Sequence, residues 1–159
     1  MVEKLSVIHL LLVLGAAACI YLVVRELRRP YVSQWRLFAP GAAALFVAAE
    51  MFLIQVAAGQ PRWYFLVAAG IGLVVGGVRA LTIGLKHDLY RPQVMISQPA
   101  KQVLLLVGIG VGICVVLEIA GLVAQHPHLR LWAALSAVVC ATAMLMRALV
   151  LTLRLRLHA

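Results

Sequence analysis

The sequence predicts an all-α, polytopic membrane protein with five transmembrane helices, its N-terminus outside and its C-terminus in the cytoplasm. Two observations lead there: five long apolar runs, and basic residues that alternate in number from one connection to the next. Of the 159 residues, 65% are apolar and 12% charged, and the mean hydropathy is +1.05. A soluble domain of this size has too little polar surface to cover so many apolar side chains. In a bilayer they can face lipid instead.

A helix needs about 20 mostly apolar residues to cross the hydrocarbon core, and residues 5–24, 38–58, 64–85, 102–124 and 131–152 meet that need within one transmembrane domain. In the first run, Ala16, Ala17 and Ala18 precede Cys19 as in a lipoprotein signal. Apolar residues nevertheless continue to Val24 and stop at Arg25, Arg28 and Arg29, which favours an uncleaved helix. Pro40 and Pro99 stand near the starts of the second and fourth runs, where a missing N–H costs little.

Counted along the chain, Lys and Arg fall as one at the N-terminus, then four, one, four and one in the successive connections, and three at the C-terminal end. All fourteen basic residues fit this alternation, and cytoplasmic loops carry the excess, so the N-out, C-in orientation follows. Trp63 and Trp132 fall at the outer interface and Trp35 at the inner one, where amphipathic rings prefer to lie. The net charge of +9 is split into short clusters between uncharged runs. That layout points to anionic headgroups at the cytoplasmic loops rather than to nucleic acid. The cell membrane, specifically a bacterial inner membrane, is the expected location. Cys19, Cys114 and Cys140 lie in apolar segments with no CxxC and read as small hydrophobes.

Gly72 and Gly76 form one GxxxG, and Gly108 and Gly112 another. Such pairs let helices approach closely, so the third and fourth helices are expected to pack together within one protomer, or alternatively to form a homodimer seam. Residues 26–32 and 88–94 share a pattern at an offset of 62, with Arg29-Pro30 matching Arg91-Pro92 and Glu26 matching Asp88. This is either a short repeat of two-helix units or a pair of ordinary basic stop signals. Between Pro92 and Pro99, Val94, Met95 and Ile96 suggest a short extended piece on the inner face.

Glu50 and Glu118 are the only carboxylates within these runs. An acid at membrane depth costs about 2.5–3.5 kcal/mol on insertion scales, so it should be protonated, paired or facing a wet cavity. Both are placed at similar depth in the outer half, with His9 a neighbour and His126 and His128 in the outer loop. These groups could move protons, bind a metal or grip a haem edge; equally, they could hydrogen-bond across helices or face headgroups. The His-Pro-His run lacks the spacing of a dedicated metal site. Arg79 and Arg147 are expected to snorkel to the cytoplasmic edge, with substrate binding the alternative for Arg79.

Residues 25–40, RELRRPYVSQWRLFAP, resemble the basic first loop of small CcdC-like membrane proteins, in which a charged stretch leads through R-L-x-x-P into the next helix. Gly76-Gly77-Val78-Arg79-Ala80-Leu81-Thr82, followed by Asp88 and Arg91, is similar to that family's glycine-arginine helix end and basic loop. The resemblance covers about half the chain. Ala80 stands where such proteins often carry a second glycine, and the family tends to four spans. It implies an accessory role in cytochrome c maturation. The sequence carries no phosphate loop, nucleophile elbow or zinc-protease motif. Its reading is a non-enzymatic accessory or scaffolding subunit of a membrane complex, partnered by another membrane protein or by its own copies. The alternatives are a small proton-coupled transporter using Glu50 and Glu118, or a haem, metal or quinone protein. No cofactor is assigned.

Overall fold

The computed structural model describes residues 7–28, 34–83, 85–87 and 94–157. Its five helices are α1 (Val7–Leu27), α2 (Gln34–Ala57), α3 (Trp63–Thr82), α4 (Gln98–Val123) and α5 (Pro127–Leu157), and all are long and apolar enough to cross a membrane. They alternate in direction. One end of the bundle, here the basic end, gathers Arg25, Arg28, Arg79, Lys101, Arg147 and Arg154; the opposite end carries the α2–α3 and α4–α5 turns.

Helices α1, α2, α5 and α4 form a closed ring, each packed on the next, while α3 lies outside it against α5. The buried side of α1 reads His9, Leu12, Ala16, Cys19 and Val23, steps of three and four that keep one stripe turned inward. It meets Val47 and Met51 of α2, Val111 and Val115 of α4 and Ala137 and Ala141 of α5 in the core. The outer flanks are apolar as well: Leu66 and Val74 of α3 are 74% and 66% exposed. A surface of that kind suits hydrocarbon rather than water.

Small residues decide which helices touch. A Cβ at Gly72 would collide with Thr142 and Val139, and one at Gly76 with the Ala143 backbone, so both glycines seat α3 directly on α5. Gly108 and Gly112 face Val23 and Ile20 of α1, each with 3.0 Å to a built Cβ. The two GxxxG motifs therefore serve two separate seams. The expectation that the third and fourth helices pack along each other is corrected, because each finds its complementary surface elsewhere, α3 on α5 and α4 on α1.

The helix ends explain where the apolar runs misplace boundaries. Helix α2 begins at Gln34, upstream of the apolar run, because hydropathy marks the apolar stretch and not the polar turn that precedes it. Pro40 consequently lies inside α2, not at its start; it is fully buried, and its carbonyl accepts the Cys19 thiol at 3.6 Å. Helix α3 stops at Thr82, short of 85. Residues Leu85–His87 instead form β1, antiparallel to β2 (Val94–Ile96) with Leu85 opposite Ile96. The Arg154 guanidinium of α5 fixes that stop. Its Nη1 donates to the carbonyls of Ala80 (2.8 Å), Leu81 (3.3 Å) and Ile83 (2.9 Å), satisfying the open end of α3 with a cation where the helix dipole is negative. In α4, Pro99 does fall in the first turn.

Replacing Gly76 by Val should lower stability by about 1–3 kcal/mol through overpacking against α5. Gly70, which has open space around its Cβ position, should accept Ala with unchanged or raised stability. Thermal unfolding of the two variants in detergent micelles checks the contrast.

Candidate functional site

The most enclosed polar group sits at the opposite end. Glu118 of α4 is completely buried. Its Oε1 accepts Nε of Arg130 at 2.8 Å and lies 2.8 Å from Nη2 of the same guanidinium. Gln55 Nε2, from α2, donates to Oε2 at 3.3 Å and more weakly to Oε1 at 3.5 Å. Three helices are joined through one carboxylate.

The local sequence explains how Arg130 arrives there. Helix α4 ends in a tight reversal in which Gln125 takes a left-handed φ of 57° and the His126 amide donates back to the Gly121 carbonyl at 2.9 Å. Pro127 then opens α5 at once, so Arg130 comes back alongside Glu118, twelve residues earlier. Gly121 supplies the space: a Cβ there would lie 2.6 Å from Arg130 Cγ. The guanidinium side chain remains 20% exposed, at the edge of an open cavity of about 370 Å³ lined by Gly121, Leu122, Gln125 and Pro127. The α2–α3 turn uses the same device, with Gly59 at φ +85° and the Gln60 amide bonded to the Gln55 carbonyl at 3.1 Å.

Glu50 does not join this cluster. It is half-buried on α2, with Oε2 enclosed and without a hydrogen-bond partner. Five residues separate it from Gln55, which sets it about 7.5 Å deeper along the helix. The similar depth expected for Glu50 and Glu118 is corrected: the α2 residue level with Glu118 is Gln55. His9 is buried on α1, while His126 and His128 are exposed. Among the described residues, no group of three or more His, Cys, Asp or Glu side chains is arranged to hold a metal. Arg29, Pro30, Arg91 and Pro92, the part common to the basic motif and the short repeat, lie outside the described residues.

At the basic end, a second buried pair changes two expectations. Glu26 falls within α1 and faces Arg147 of α5, with 4.0 Å from Oε1 to Nη2. Glu50 and Glu118 are therefore not the only helical carboxylates. Arg147 is 6% exposed, so snorkelling does not describe it; the side chain turns inward toward Glu26. Arg79, in the last turn of α3, is exposed as expected.

Gln55, Arg130, Glu26 and Arg154 carry these contacts, and sequence reasoning singled out none of them as a partner. Two signals were present. Gln55 and Glu50 are the only strongly polar residues between 38 and 58, and Arg130 is the only cation in its connection.

Arg130→Gln should cost about 3 kcal/mol, because it leaves Glu118 buried without its cation. Glu118→Gln should cost less, and the double variant less than the sum of the two single losses. A double-mutant cycle on unfolding free energies measures this, and strictly additive values would show that the pair is not coupled. No protein-family model, curated protein or solved structure matches the chain.

Proposed function

We propose that the chain is a small integral membrane protein, N-terminus outside and C-terminus in the cytoplasm, that assists or scaffolds another membrane complex without performing chemistry itself. The observation that carries this reading is the sealed state of Glu118. Glu118, one of the two carboxylates that the sequence places at membrane depth, is committed to Arg130 and Gln55 as a link between three helices. Polar groups used in this way stiffen a bundle, leaving its outer helical faces to meet other proteins or lipid. With this orientation the basic end faces the cytoplasm, where each exposed Lys or Arg contributes about 1 kcal/mol of attraction to anionic headgroups. The resemblance to CcdC-like proteins agrees with an accessory role and suggests cytochrome c maturation as its setting.

A tagged chain extracted from native membranes in mild detergent should retain a membrane-protein partner at near-stoichiometric amounts, quantified by mass spectrometry. Recovery of the chain alone would count against the scaffold reading.

One observation favours a second reading. Glu50 holds a carboxylate oxygen enclosed without a hydrogen-bond partner, the environment of a group that can carry a proton. Under that reading the chain is a small proton-coupled carrier. Proton-coupled flux in proteoliposomes should then vanish in Glu50→Gln, and flux that survives the substitution would remove Glu50 from the mechanism.

A further inference from the structure

Gly76 has a consequence one turn further along α3. By letting α3 settle on the Ala143 backbone, it brings the following cation, Arg79, toward Arg147, one turn beyond Ala143 on α5. Helices α3 and α4 both pack on α5 but not along each other, which leaves a groove between them with α5 as its floor. At the basic end the groove holds a cavity of about 60 Å³. Arg79 and Arg147 line it together with apolar walls from Val75, Val103, Val107 and Met144.

The Arg147 guanidinium at this cavity is not satisfied. Arg147 is buried, yet its Nε and Nη2 make no hydrogen bond, and the Glu26 carboxylate at 4.0 Å is too distant to supply one. Arg79 lies within electrostatic reach of Arg147, and Lys101 within reach of Glu26. Two cations thus meet at this cavity, and Glu26 offers the buried one no hydrogen bond. A guanidinium presents a planar fork of donors suited to tetrahedral oxyanions. A space of 60 Å³ is on the scale of one such group, about twice a water molecule's ~30 Å³ share of the liquid.

We propose that Arg79 and Arg147 bind a phosphate group in this cavity, supplied by the headgroup of an anionic phospholipid whose acyl chain lies in the α3–α4 groove. The apolar walls favour the lipid over free phosphate, because they give the attached chain a surface that inorganic phosphate would leave empty. Glu26 is the internal competitor, holding Arg147 loosely until the phosphate takes its place. The site requires the chain to lie in a membrane but not the scaffold reading, so either can fail without the other.

The test uses the full chain purified in detergent, with phosphatidylglycerol, zwitterionic phosphatidylcholine or inorganic phosphate added. Lipid binding is read by native mass spectrometry, and phosphate binding by calorimetry. Phosphatidylglycerol should bind at least tenfold more tightly than phosphatidylcholine. Its affinity should fall about tenfold in Arg79→Gln and in Arg147→Gln, and rise severalfold in Glu26→Gln, a gain that a purely structural role for these residues would not produce. Inorganic phosphate that binds and is lost in Arg79→Gln, with no preference between the lipids, would keep the phosphate site and overturn its lipid source. Equal lipid affinities with no phosphate binding, or phosphatidylglycerol binding unchanged in Arg79→Gln, would overturn the site. Arg79 is exposed, so its variant remains informative even if Arg147→Gln fails to fold.

Discussion

The arrangement depends on how closely other helices can approach α5. Between apolar helices in an apolar surrounding, no hydrophobic force selects one pairing over another; the selection comes from dispersion contacts, which need close backbones. The buried side of α5 includes Ala133, Ala134, Ala137, Ala141 and Ala148. With so little side chain in the way, α2, α3 and α4 all find room against one helix. On α3, Gly72 and Gly76 extend the same logic to direct contact with the Thr142 and Ala143 region. Larger residues on either surface would separate the helices, and Arg154 would then lose its reach to the last carbonyls of α3.

The two ends of the bundle treat buried charge differently. At the opposite end, Glu118 has both a cation and an amide at hydrogen-bond distance. At the basic end, Glu26 and Arg147 sit 4.0 Å apart with donors and acceptors left over. A satisfied pair in a low-dielectric interior holds its geometry, whereas a loose pair can exchange one partner for another at small cost. The difference traces to chain connection. Glu118 and Arg130 are twelve residues apart across one tight turn, so their approach is set locally. Glu26 and Arg147 come from α1 and α5, and their separation is left to the packing of the ring.

Five apolar runs near 20 residues are written directly in composition, because the requirement that creates them acts on each segment separately. For that reason the five helices were legible in sequence. What hydropathy could not supply was pairing. A GxxxG motif announces a close contact but carries no label for its partner, so Gly72 and Gly76 could be noticed without α5 being named. The same limit applies to the candidate site. Glu118 stood out as a costly group, yet Gln55 is uncharged and Arg130 looked like an ordinary loop cation; only the folded arrangement makes them its partners. Glu26 was hidden by a boundary: a run ending at Val24 places it in a loop, while backbone hydrogen bonding carries α1 on to Leu27.

The position of α5 in the chain bears on how the protein is made. It follows the other four helices, and it is the main neighbour of α3. About 45 residues separate the end of α3 from the start of α5, roughly 2–9 s of synthesis at 5–20 residues per second. Through that interval α3 has been synthesised while its final docking surface has not, so its glycine face has no α5 to cover it. Helices α1 and α2, adjacent in both chain and space, can pair at once; α3 must wait. Biogenesis therefore has a late committing step, and a nascent chain stalled before Pro127 would hold α3 as an unpaired helix beside an incomplete ring.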